Sequence, residues 1–179
     1  MRIYEGSPRQ DWEEVLRSVG SFADRERMKE LLLLELDAGF ILQGLAIPMA
    51  GARSETEPSL TKVTHELPDD EIAQLMEVAA ANRTDAPPIV PDPGISNYYE
   101  HALRVIGGYV DGHRARDVFL FEQDGAFVLR LLLSAVGAGA AGHQLVEFTR
   151  EDITAMIEAA PQHRESAARG PGAPGETPR

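Results

Sequence analysis

A stretch of thirty-one residues occurs twice in this chain. Shifted by eighty-seven positions, Trp12–Leu42 lies on Tyr99–Leu129 without a gap. Eleven of the thirty-one positions are identical: Glu13/Glu100, Leu16/Leu103, Arg17/Arg104, Gly20/Gly107, Asp24/Asp111, Arg27/Arg114, Leu33/Leu120, Glu35/Glu122, Asp37/Asp124, Phe40/Phe127 and Leu42/Leu129. Unrelated sequence of ordinary composition gives about two. The apolar pattern repeats too, with Trp12, Val15, Leu16, Val19 and Phe22 matching Tyr99, Ala102, Leu103, Ile106 and Tyr109. The expectation is an internal duplication, and it constrains the architecture before any single motif does.

The pattern within each copy predicts the elements. Arg2–Glu5 reads as a short edge strand, and Ser7-Pro8-Arg9-Gln10 as a capped start for a first helix running to about Asp24. A charged turn, Asp24–Lys29, leads to strands over Leu31–Leu36 and Phe40–Ile47, joined across Asp37-Ala38-Gly39. A third strand is expected over Thr61–Glu66, and Pro68-Asp69-Asp70-Glu71 opens a second helix. In the second copy, Ser96 caps a helix to about Val110. Strands follow over Val118–Glu122, Phe127–Ala135 and Gln144–Phe148, and Thr149-Arg150-Glu151-Asp152 is a capping-box-like start for the last helix. The expected organisation is a helix–three-strand–helix unit over 1–84, a Pro-rich linker over 85–94, a second such unit over 95–160, and a disordered tail over 161–179.

This makes the expected class α+β: two tandem repeats related by a pseudo-two-fold axis, with antiparallel sheet and helices on one face. Both hairpin strands are apolar on both faces, so the second face needs a cover. The sister half is the simplest cover, and a second copy of the chain is the other. The helix–three strands–helix order resembles small bacterial secretion-chaperone-type α/β domains in element order, a likeness that carries no residues across.

Charge and composition exclude some functions. Residues 1–84 carry nine basic and sixteen acidic side chains and the remainder eight and thirteen, so the net −12 is shared between the halves. Neither half is a basic arm, and the field repels nucleic acid and anionic membrane, so neither is an expected partner. The absence of cysteine removes disulfides and thiolate chemistry. Met1–Gln10 has no signal-peptide pattern and no apolar run reaches about 18 residues, which points to a soluble cytoplasmic protein.

Five sets of residues have the right types for chemistry or binding. Gly137-Ala138-Gly139-Ala140-Ala141-Gly142 spells a dinucleotide fingerprint, G-x-G-x-x-G, but an extended segment follows where a helix should begin. Glu35, Asp37, Glu122 and Asp124 are acids at matching hairpin ends, where acids are ordinarily solvated or form turns. Arg27/Arg114 and Asp24/Asp111 stand in the helix-to-strand turns, and Asp–Arg pairing that fixes each turn competes with ligand binding. His65, His101, His113, His143 and His163 lack zinc-site spacing, with His101 placed on a polar helix face. Trp12, Tyr99, Phe22 and Tyr109 fall on buried helical stripes, and Tyr98 falls off one.

The expected function is a non-catalytic protein-binding or chaperone-like module that takes a protein partner or self-associates, with no metal and no cofactor. The alternative is a small-ligand or enzyme site between the halves lined by Arg27, Arg114, Glu35 and Glu122. Nucleotide binding at Gly137–Gly142 ranks below both.

Overall fold

The computed structural model describes residues 11–46, 60–82, 97–133 and 142–160. It is α+β, with four helices and one six-stranded antiparallel sheet. Helix α1 (Trp12–Arg25) precedes strands β1 (Met28–Leu36), β2 (Gly39–Ala46) and β3 (Thr61–Pro68) and helix α2 (Asp69–Ala81). Helix α3 (Tyr98–Gly112), strands β4 (Ala115–Gln123), β5 (Ala126–Leu133) and β6 (Gly142–Phe148), and helix α4 (Arg150–Ala159) follow in the same order. The predicted edge strand at Arg2–Glu5, the Pro-rich linker, Gly137–Ala141 and the tail lie outside the described residues. The expected Ser7 and Ser96 caps are corrected, because α1 starts behind Asp11, whose carboxylate accepts the Glu14 amide, and α3 starts behind Asn97.

The strand order is β3-β2-β1-β4-β5-β6. The two halves meet edge to edge through β1 and β4, with Leu33 opposite Leu120, Leu32 opposite Phe121 and Leu34 opposite Phe119. This corrects the expectation that one half covers the other's second sheet face, because the sister half extends the sheet instead of stacking on it. Two-sided apolar strands suit the middle of a sheet, and the middle is where β1 and β4 sit.

One face of the sheet takes the helices. Leu33, Phe40, Leu42, Leu120, Phe127 and Leu129 are fully buried there. Trp12 packs edge-on to Phe40 at 5.8 Å between ring centroids, and Tyr99 to Phe127 at 6.5 Å. The core runs through both halves as one cluster.

Helices α1 and α3 lie against each other in opposite directions, and two glycines set how close they come. A Cβ on Gly20 would stand 2.1 Å from the Tyr99 carbonyl oxygen, and one on Gly107 2.2 Å from that of Trp12. Contact this tight buries more than one stripe of α3, which has α1 on one side and the sheet on another. Tyr98 and His101, expected off the stripe and on a polar face, are 2% and 0% exposed.

Strands β1 and β4 begin earlier than the apolar pattern indicates, at Met28 and Ala115 instead of Leu31 and Val118. The reason is an irregularity in each. The β1–β2 register shifts between Lys29 and Leu32, and the β4–β5 register between Arg116 and Phe119. Glu30 and Asp117 there adopt left-handed φ values of 51° and 57°. An extra residue of this kind breaks the in–out alternation and frees a backbone amide from the ladder.

Candidate functional site

The polar residues shared by both halves converge on the contact between them. Glu35, in β1, accepts the backbone N–H of Val118 at 2.8 Å. Glu122, in β4, accepts that of Leu31 at 3.3 Å and the Tyr99 hydroxyl at 2.5 Å. Each carboxylate thus satisfies the amide released by the irregular residue in the other half. Both acids are only 8% exposed, which corrects their reading as solvated strand-end acids. Burial pushes the Glu122 carboxyl up, opposed by the hydrogen bonds from Tyr99 and Leu31. Burial, and then the Glu122 charge, raise the Tyr99 hydroxyl.

Asp24 and Asp111 act in the same crossed manner. An acid in the last turn of a helix opposes its own dipole, and these acids serve the opposite helix instead. Asp24 accepts the Tyr99 and Glu100 amides of α3 at 3.1 and 2.9 Å. Asp111 accepts the Trp12 and Glu13 amides of α1 at 3.0 and 2.9 Å. Each helix start, with amides left over by geometry, is therefore capped by the other helix. The expected Asp–Arg pairing within each turn gives way to this role. Burial raises the Asp24 carboxyl to about 7, against the pull of the two amides.

The antiparallel register divides the four predicted ligand residues. Arg27, half-buried, precedes β1 and shares an end of the central strand pair with Glu122. Arg114, exposed, precedes β4 and shares the other end with Glu35. Both arginines hold left-handed turns, with φ of 53° and 50°.

A charged cluster between α1 and α3 is what the residue types alone did not single out. Arg17 and Arg104 are each 1% exposed. Arg17 presents Nε and Nη2 to Glu100 Oε1 at 3.0 and 2.8 Å. Arg104 is held differently. Only its Nη1 reaches Glu13 Oε1, at 3.2 Å, and its Nε and Nη2 are buried without a partner among the described residues. Burial lowers its guanidinium below the ordinary value, with Glu13 opposing. Beside it, between α1, α3 and α4, is a pocket of about 260 Å³, lined by Glu13, Arg104, Val105, Gly108, Met156 and Ala159 among others. The signal for this cluster was present in the two identical pairs Glu13/Glu100 and Arg17/Arg104, charged residues beside an apolar stripe in both matching segments.

Gly142 opens β6, so the glycine-rich segment runs into a strand, and α4 starts afresh at Arg150 behind a capping box formed by Thr149 and Asp152. Among the described residues no group of three or more His, Asp or Glu is placed to hold a metal ion. No helix among them is long and apolar enough to cross a membrane. Comparison of the chain with protein-family models, curated proteins and solved structures finds no match.

Proposed function

We propose that this protein works by binding protein and not by catalysis, and that its interaction surface is the sheet face turned away from the helices. The observation that carries this reading is a continuous apolar strip across the four central strands. Ile41, Leu34 and Phe119 form one row, and Leu32, Phe121 and Val128 the next, following the strand register. All six are half-buried, while their neighbours in sequence on the helix side are sealed. Leu145, at the β6 edge of the same face, is 71% exposed. An apolar patch of this extent on a polar-rimmed surface is the usual mark of an interaction site.

The occupant we assign is a second copy of the chain. The protein carries −12 overall, yet this face holds Lys29, Lys62 and Arg130 against Glu66 and Glu147. Two copies meeting here avoid the repulsion that other approaches incur. Six strands spaced about 4.8 Å and about six residues long give a footprint on the order of 600 Å². A face-to-face pair then removes roughly 1,200 Å² from water, which reaches the range of specific interfaces.

The same reading treats segments 12–42 and 99–129 as copies of one unit, related by a two-fold axis through the Leu33–Leu120 pair. The crossed caps, the crossed carboxylate–amide bonds and the matched irregular residues support it.

Light scattering over a concentration series tests the proposal. A concentration-dependent dimer that Leu34→Lys and Phe121→Lys each convert to monomer, with helix and strand content unchanged, supports it. A monomer at every concentration, or a dimer indifferent to both variants, overturns it.

A further inference from the structure

The pocket between α1, α3 and α4 is lined by Arg104, by the acid Glu13 and by an apolar wall, and none of these is used by the interaction surface on the opposite face of the sheet. Arginine binds a carboxylate best along its Nε–Nη edge, where two parallel N–H groups match two oxygens. In Arg17 the Nε and Nη2 donors are taken by Glu100. In Arg104 the corresponding Nε and Nη2 have no partner among the described residues. Leaving buried donors unmade is costly, so a carboxylate delivered there gains more than it would at a solvated arginine.

The surroundings narrow the ligand. A bare anion is disfavoured by a protein of charge −12 and by Glu13, whose Oε1 is already on Arg104 Nη1. Glu13 Oε2 stands 3.6 Å from where a Cβ of Gly108 would lie, on the pocket side of α3. A zwitterion answers both groups at once and adds no net charge. Val105, Met156 and Ala159 supply apolar wall, and about 260 Å³ suits a ligand of amino-acid size.

The lining differs from the matching positions of the first half. The positions matching Gly108 and Ala159 at the shifts of eighty-seven and eighty-one are Ser21 and Val78, both larger. A helix-interior glycine costs about 1 kcal/mol relative to alanine, and Gly108, unlike Gly107, meets no backbone that demands it.

We propose that this pocket binds a single α-amino acid with an apolar side chain, its carboxylate on the Nε–Nη2 edge of Arg104 and its ammonium on Glu13. Arg104 is 1% exposed, so the carboxylate reaches it when a lining side chain moves aside. Met156, half-buried and with three rotatable bonds, is the side chain that yields.

Calorimetric titration of the full chain with L-leucine, with 4-methylpentanoate, which lacks the ammonium, and with 3-methylbutylamine, which lacks the carboxylate, tests the assignment. The expected result is saturable one-site binding of L-leucine, at least about tenfold weaker binding of each half-ligand, and a shifted Met156 methyl resonance. Gly108→Leu and Ala159→Leu, which fill the pocket from helix faces without touching the core, are expected to melt as the parent does and to lose the binding. No saturable binding of L-leucine, L-valine or L-methionine overturns the proposal. So does L-leucine binding that survives both filling variants, or 4-methylpentanoate binding as tightly as L-leucine.

Discussion

The carboxylate of Glu35 accepts the backbone N–H of Val118 across 2.8 Å, joining β1 to the irregular start of β4. Its counterpart Glu122 does the same for Leu31. Removing one acceptor strands a buried amide, which costs about 1–3 kcal/mol. Glu35→Ala is therefore expected to lose stability in that range in urea unfolding. Glu35→Gln, which keeps an acceptor oxygen, is expected to lose less. Equal losses for the two substitutions would show that the amide bond is not what the acid supplies.

The Asp24 cap predicts a pH dependence. Its carboxyl titrates at about 7 in the folded protein against an ordinary value of 3.8, so the folded state binds this proton more tightly than the unfolded chain does. The stability linked to Asp24 is full below about pH 4 and is lost as pH rises through about 7, with a limiting slope of about 1.4 kcal/mol per pH unit between. Denaturation curves from pH 4 to 8 are expected to show this fall in the parent and a flatter profile in Asp24→Asn. Parallel profiles would exclude Asp24 as the source.

The close approach of α1 and α3 depends on Gly20 and Gly107. Alanine at either position places a methyl group within 2.2 Å of a backbone carbonyl, and backbone cannot yield as a flexible side chain does. Each substitution is expected to cost at least about 1–3 kcal/mol, the usual price of overpacking, seen as a lower melting temperature by circular dichroism. Gly108→Ala, whose Cβ meets nothing closer than 3.6 Å, is the control and is expected to leave the melt unchanged or raise it.

The Arg17–Glu100 pair is buried at both ends, with side chains 1% and 7% exposed. Breaking it from one side leaves an uncompensated charge. Arg17→Met and Glu100→Leu are each expected to cost about 3–5 kcal/mol, and the double variant Arg17→Met, Glu100→Leu to recover much of that. Urea midpoints of the four proteins in this cycle decide it. A double variant as unstable as the two singles summed would argue that packing, not charge, sets the cost.

Periodicity made the order of the ten elements legible, because a stripe of Val15, Leu16 and Val19 or an alternation of Phe40 and Leu42 reports which face of an element is buried. It misplaced the starts of β1 and β4, since Glu30 and Asp117 break the alternation by which strands are recognised. It also placed His101 and Tyr98 on the wrong side of α3. A single stripe assumes one packing partner, and α3 has several. The candidate site was less legible. Glu35 and Glu122 were visible as repeated acids, but a carboxylate that bonds a backbone amide 83 or 91 residues away leaves no local pattern. Arg104 carries the same residue type as Arg17 and differs only in what surrounds it.

The amino-acid sequence by itself determined the order of elements in each half, helix, hairpin, strand and helix, with identical charged residues at matching places. That information is local, carried by side-chain periods of two and 3.6 residues and by turn chemistry. Only the tertiary structure decided how the halves meet, as one sheet joined at Leu33 and Leu120, with α1 and α3 each capped by an aspartate of the other. Those choices rest on which strand edges pair and which amides lack partners, and both are properties of segments brought together in space.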